Sequence, residues 1–253
     1  MVIPYTKTIN GVQIAFDDTG LGRADIPTIV LLPGWCHDMR AWNHLLPYLS
    51  PHFRVVRVCW RGHGPNRDPV VGESGDFGLD EQISDTIALL DSLEVETFIP
   101  VSHAHGGWVA LSLVNGLGKE RVPAVVLLDL IMTPPPAEFK NGLQAMQSRQ
   151  TWKMARQALA DSWAAETTNQ AVIHHFLYEA GGHGFDMWSR SCRVIERAYG
   201  TWGSPMGLHE SRICTNGKAG FYDRPLKYLT DTMGFCRSQR TGHLGRPQRG
   251  LNT

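Results

Sequence analysis

The sequence predicts an α/β fold built on a mostly parallel sheet, opened by an N-terminal hairpin and covered by a helical cap. Three observations carry this expectation. Short β-branched and apolar runs alternate with stretches of helical periodicity, the pattern of a parallel sheet with right-handed crossovers. Two of the runs, residues 28–32 and 124–128, are apolar almost throughout, as suits strands covered on both faces. The chain has 253 residues, 42% of them hydrophobic, which suffices for one sizeable core.

The elements follow in order. Residues 5–16 read as a hairpin, because Thr8, Ile9 and Val12, Ile14 flank Asn10-Gly11, a type I′ turn pair. Residues 28–32 form a strand stopped by Pro33-Gly34. Residues 38–49 carry Trp42, Leu45, Leu46 and Leu49 on one side of a helix. A strand over 53–58 leads into a glycine-rich turn, Arg61-Gly62-His63-Gly64-Pro65, which shapes the backbone after the strand. Ile83, Ile87, Leu90 and Leu93 mark an amphipathic helix over 79–93. A strand over 96–101, a helix over 108–114 and a strand over 124–129 complete the core, expected over residues 1–132.

Thr133-Pro134-Pro135-Pro136 breaks the pattern, since three prolines continue neither helix nor ladder. Residues 139–199 then read as helical. An insertion after a core strand is expected to form a cap, over 133–205, at the carboxyl edge of the sheet, where open α/β sheets bind ligands. Residues 206–253 form a divergent segment. From Cys214 onward it is rich in Gly, Arg, Thr and Ser with no helix or strand period, so weak order is expected there, and the C-terminal part of the fold reads as atypical or incomplete.

Composition narrows the function. The 24 Lys and Arg balance 24 Asp and Glu, and without basic runs there is no electrostatic footprint for nucleic acid. No stretch approaches the roughly 18 apolar residues of a membrane span. The first residues lack the basic start and apolar stretch of a signal peptide. Cys36, Cys59, Cys192, Cys214 and Cys236 are scattered without metal-cage spacing, which points to reduced thiols, a cytoplasmic setting and no metal. The 11 histidines are numerous, and several cluster near one loop system.

The most informative stretch is Ser102-His103-Ala104-His105-Gly106-Gly107-Trp108. A strand, a sharp glycine-assisted turn and a helix are the setting of the nucleophile elbow, G-x-S-x-G. Here Ser102 stands at the first glycine and Ala104 at the nucleophile, and alanine has no atom that attacks a carbonyl. Leu31-Leu32-Pro33-Gly34-Trp35-Cys36-His37 ends the first parallel strand, where such folds supply one backbone N–H of an oxyanion hole; the donors are then Trp35 and His105. Asp129 closes an apolar strand, where an acid either orients a histidine or caps a loop. Trp163 and Trp188 in the cap either stack on a flat aromatic ligand or pack the cap itself.

These residues, with Trp60-Arg61-Gly62-His63-Gly64, Asp76-Phe77-Gly78, Leu127-Leu128-Asp129 and residues 193–206 (RVIERAYGTWGSPM), resemble the cofactor-free 2,4-dioxygenases of the α/β-hydrolase superfamily, from about Thr28 to Met206. Those enzymes cleave 3-hydroxy-4-oxoquinolines and 3-hydroxy-4-oxoquinaldines with dioxygen and release carbon monoxide. The resemblance implies a histidine–aspartate dyad: the histidine removes the 3-hydroxyl proton of the substrate, and the anion reacts directly with dioxygen, without metal or flavin. Asp129 matches the dyad aspartate, Trp35 and His105 the oxyanion donors, His37, His103 and His105 the polar lining, and Trp163 a substrate-contacting cap tryptophan. Ala104 takes the place of a serine that orients substrate. The base histidine of the family sits in a Gly-Pro-Thr-His-Phe-Pro-like loop that this sequence lacks, and His243 is the late histidine that could stand in for it. The implied partner is a small aromatic substrate. Two alternatives stand beside this reading: a hydrolase of altered specificity, and a non-catalytic binder of a small aromatic molecule. The oligomeric state is not legible.

Overall fold

The computed structural model describes residues 5–20, 22, 25–66, 78–165 and 167–213. Strands β1 (Tyr5–Ile9), β2 (Val12–Asp18), β3 (Thr28–Leu32), β4 (Val55–Val58), β5 (Phe98–His103) and β6 (Val126–Leu128) form one sheet in the order β1-β2-β4-β3-β5-β6. The β1/β2 and β2/β4 pairs are antiparallel, whereas β4, β3, β5 and β6 run parallel. Asn10 and Gly11 both take positive φ, 48° and 79°, as the expected type I′ turn requires.

Helix α1 (Leu46–Leu49) is preceded by a 3-10 turn, Met39–Trp42, so residues 38–49 are not the single helix their spacing predicts. Pro47 is the reason. It has no N–H to give to Asn43 and sits instead in the first turn of a new helix, where a missing donor costs nothing. Helix α2 (Leu79–Ser92) matches its expected range closely. Helix α3 (Gly106–Arg121) begins two residues before the predicted start and directly after β5. One core gathers the sheet residues Val30, Leu32, Val56 and Phe98 with Leu89 and Leu90 of α2 and Val109 and Leu113 of α3.

Among the described residues, five helices follow β6: α4 (Ala137–Met146), α5 (Trp152–Ala165), α6 (Gln170–Gly181), α7 (Phe185–Trp202) and α8 (Pro205–Ile213). Helix α4 packs on α5 and α7, α5 on α6, and α8 on α3 and α7. A second apolar core joins Trp108 and Leu111 of α3 to Leu143, Met187, Trp188, Ile195 and Tyr199 of these helices, with Trp35 and Cys36 from the loop after β3. Helix α3 is thus shared, one side against the sheet and the other against the later helices.

Strand register places the functional residues. Leu32 of β3 lies opposite Ser102 of β5, and His103 lies opposite Leu128 of β6. The three parallel strands therefore end at one level. The chain leaves them through Pro33-Gly34-Trp35, Ala104-His105 and Asp129, all at the same carboxyl edge.

Candidate functional site

Those three exits open onto a cavity of about 410 Å³. Its lining includes Trp35, His37, His103, Ala104, His105 and Asp129 from the sheet side. Leu130, Ile131, Phe139, Leu159, Ile195 and Tyr199 supply an apolar wall. The volume is in the range of pockets that enclose small organic ligands. Of the residues singled out in the sequence, six meet here. Trp163 lies on α5, but its side chain is outside the described residues, as is the whole of His243.

The elbow is built by close backbone approach. Ala104 takes the left-handed conformation, φ 45°, and its N–H donates to the Leu128 carbonyl at 2.8 Å. That bond ties the turn to β6 while α3 starts at once, with Gly107 N–H donating to the Ala104 carbonyl at 2.9 Å. A Cβ at Gly106 would sit 2.5 Å from the Pro33 carbonyl oxygen and 3.0 Å from that of Leu32, both main chain. Only glycine lets α3 start this close to the loop after β3. Similarly, a Cβ at Gly34 would sit 2.6 Å from Nδ1 of His103.

The Gly34–His37 turn is fastened from several sides. Trp60 Nε1 donates to the Pro33 carbonyl at 3.0 Å. The His37 N–H donates to the Gly34 carbonyl at 3.3 Å. Cys36 holds φ 60°, a left-handed conformation that a side chain makes unfavourable. The Trp35 ring meets Trp188 of α7 edge-on, with centroids 4.8 Å apart. Asp38, fully buried, receives the Arg40 guanidinium through both oxygens and the Arg40 N–H at 2.7 Å.

Burial favours the neutral form of the His103 and His105 rings. Burial pushes His105 down to about 4, helped by the nearby His63. Burial also lowers His103, and the Asp129 carboxylate works against that shift. At neutral pH both rings are therefore uncharged, each able to donate one hydrogen bond and accept another. The His37 and His103 rings lie 5.8 Å apart, side by side on the cavity. Asp129 is exposed toward it and has φ 52°, another strained exit from a strand.

Tyr199 also lines the cavity; it donates its hydroxyl to the Ile131 carbonyl at 3.0 Å, and burial pushes its phenol up to about 12. Its ring meets Trp108 edge-on at 5.1 Å and Phe139 at 6.1 Å. Among the described residues, no group of three or more His, Cys, Asp or Glu is arranged to hold a metal ion. No helix among them is long and apolar enough to cross a membrane.

Sequence reasoning did not single out Tyr199, Phe139, Leu159 or Ile195 as lining. They carry no chemical signal of their own, because an apolar residue on a helix reads as core until the fold shows which face meets the cavity. Trp188, one of the two cap tryptophans considered, proves fully buried against Trp35.

Comparison with known proteins adds the following. A model of the "Alpha/beta hydrolase family" matches residues 29–231. A 2-heptyl-3-hydroxy-4(1H)-quinolone dioxygenase of Mycobacteroides abscessus is 54% identical, over 86% of this chain and 82% of that one. A 1H-3-hydroxy-4-oxoquinoline 2,4-dioxygenase of Pseudomonas putida is 34% identical, over 86% of this chain and 80% of its own. Among solved structures, an AqdC variant in complex with its substrate, described for recognition and ring-cleavage of the Pseudomonas quinolone signal, superposes with a TM-score of 0.77. That protein is 56% identical, and the match covers 83% of this chain and 76% of that one.

Proposed function

Because the chain belongs to the α/β hydrolase family, among its 3-hydroxy-4-quinolone dioxygenases, we propose that it cleaves the ring of a 2-alkyl-3-hydroxy-4-quinolone with dioxygen, without a cofactor, and releases carbon monoxide. The observation that carries the reading is the cavity itself. Its lining combines imidazoles and one carboxylate with a set of apolar residues, and has Ala104 where an acyl-transfer enzyme needs its nucleophile. The apolar wall of Leu130, Ile131, Phe139, Leu159, Ile195 and Tyr199 supports an aromatic ring bearing an alkyl substituent.

The chemistry divides among the residues as follows. A base takes the proton of the 3-hydroxyl, and the resulting anion is electron-rich enough to react with dioxygen without a metal or flavin. The Trp35 and His105 backbone N–H groups donate to the oxyanion. His105 stands at the start of the 16-residue α3, where the helix dipole favours negative charge. His37 and His103 hydrogen-bond the polar edge of the substrate. Asp129 orients the base and stabilises its cation. His243 is assigned as that base and Trp163 as a ring contact; both assignments rest on the family pattern. Cys36, Cys59 and Cys192 are buried, and the scattered spacing of the cysteines supports a reducing, cytoplasmic setting.

Anaerobic mixing with 2-heptyl-3-hydroxy-4-quinolone tests binding through the absorbance change on deprotonation of the ligand. Air is then admitted and carbon monoxide measured. Release of carbon monoxide in step with loss of the quinolone is expected. Binding without turnover would identify a non-catalytic quinolone binder, and no binding would overturn the reading altogether.

A further inference from the structure

We propose that His183 is a positioning residue that holds the Gly34–His37 turn, and with it the Trp35 N–H, in the orientation that meets the oxyanion of the bound substrate. The inference rests on the dioxygenase reading above and adds a residue to it.

His183 lies in the short break between α6 and α7, flanked by Gly182 and Gly184, and is 4% exposed. Its Nε2 is 3.1 Å from the Cys36 carbonyl oxygen, across 147 residues of sequence. A carbonyl oxygen only accepts, so Nε2 carries the proton in this contact. The bond fixes the plane of the peptide that joins Cys36 to His37. That peptide closes a tight turn whose own cross-bond, from His37 N–H to the Gly34 carbonyl, is long at 3.3 Å. The turn also holds Cys36 at φ 60°, a left-handed conformation that is unfavourable for a non-glycine residue. A strained turn keeps its shape only if its surroundings impose it. His183 does so from one side. Five residues further on, Trp188 packs on the Trp35 ring, so the start of α7 grips both the backbone and the side chain of the turn.

His183 does not line the cavity. Its neighbour is His63, with ring centroids 5.3 Å apart and His63 Nδ1 3.0 Å from the Arg61 carbonyl oxygen. The loops after β3 and β4 and the start of α7 thus converge behind the site. An effect of His183 on turnover has to pass through the turn, which separates positioning from contact with substrate.

The test compares His183→Phe and His183→Leu, which remove the donor, with His183→Gln, which keeps an N–H near the position of Nε2. Three quantities are read for each: kcat and KM for 2-heptyl-3-hydroxy-4-quinolone in air, the fraction of ligand bound as its anion under anaerobic conditions, and the thermal midpoint. The donor-free variants should lose at least about tenfold in kcat and show less bound anion, with KM changed by less than about threefold, because a misaligned donor weakens the charged state more than the neutral one. His183→Gln should stay within about threefold of the native kcat and restore the bound anion. Equal behaviour of the Phe and Gln variants, fallen or not, overturns the proposal. So does failure of both donor-free variants to fold while His183→Gln folds, because His183 would then hold the fold and not the turn. A native protein that neither binds nor turns over the quinolone sinks the dioxygenase reading instead, and the positioning role with it.

Discussion

Lowering the pH from 7 to 5 should destabilise this protein through His105, and the size of the effect follows from its burial. The ring is 9% exposed and titrates at about 4, against an ordinary value of 6.5. Above pH 6.5 the ring is neutral in both the folded and unfolded chains, and its full stability is present. Between 6.5 and 4 the unfolded chain takes up a proton that the folded chain refuses, so stability falls as pH falls, and the loss levels off below about 4. At pH 5 the unfolded ring is about 1.5 units past its midpoint, and at about 1.4 kcal/mol per unit this amounts to about 2 kcal/mol. His105→Gln removes the titration and leaves the main-chain N–H in place. Urea unfolding of both proteins at pH 7 and pH 5 isolates the term. The native protein should lose about 2 kcal/mol more than the variant over that interval. A difference below about 0.5 kcal/mol would show that the ring is not held neutral by burial, and the account of uncharged imidazoles in the cavity would fail with it.

Three further outcomes are expected. Asp129→Ala should lower quinolone turnover at least about tenfold, since the carboxylate orients the base, and should lower the His103 titration midpoint, because that carboxylate works to raise it; steady-state rates and NMR titration read the two effects. Ala104→Ser should tighten anaerobic quinolone binding about fivefold, one net hydrogen bond of about 1 kcal/mol, by absorbance titration. Gly106→Ala should destabilise by about 1–3 kcal/mol in urea and reduce kcat, because its methyl meets the Pro33 and Leu32 carbonyl oxygens and forces α3 away from the oxyanion loop.

Much of the sheet was legible because its strands are short apolar runs between turn residues, and Asn10-Gly11 alone specified the first hairpin. Boundaries moved where polar residues extend a strand: β5 runs to His103, past the Val101 at which the apolar run stops. Residues 38–49 misled because their spacing is helical while Pro47 forbids one continuous ladder. In the site, Trp35, His37, His103, Ala104, His105 and Asp129 were legible because each is a chemical group at a strand exit. The apolar wall was not, since membership in it depends on how α4, α5 and α7 are oriented, a long-range property. His183 left one local trace, the glycine on either side of it, and the long helical reading of residues 139–199 passed over that break.

The alignment of the strand ends has a consequence for how this architecture tolerates change. Strand β6 is three residues long, yet it sets the position of Asp129 relative to the elbow, through the pairing of His103 with Leu128 and the bond from Ala104 N–H to the Leu128 carbonyl. Loops on the far side of the sheet, such as residues 122–125, can change length without disturbing that relation. A single deletion within β6 cannot be absorbed in the same way. It would shift the carboxylate by about 3.3 Å along the strand and turn it to the opposite face. Insertions and deletions compatible with activity should therefore cluster at the amino ends of the parallel strands, and three residues of β6 act as the gauge against which the rest of the site is set.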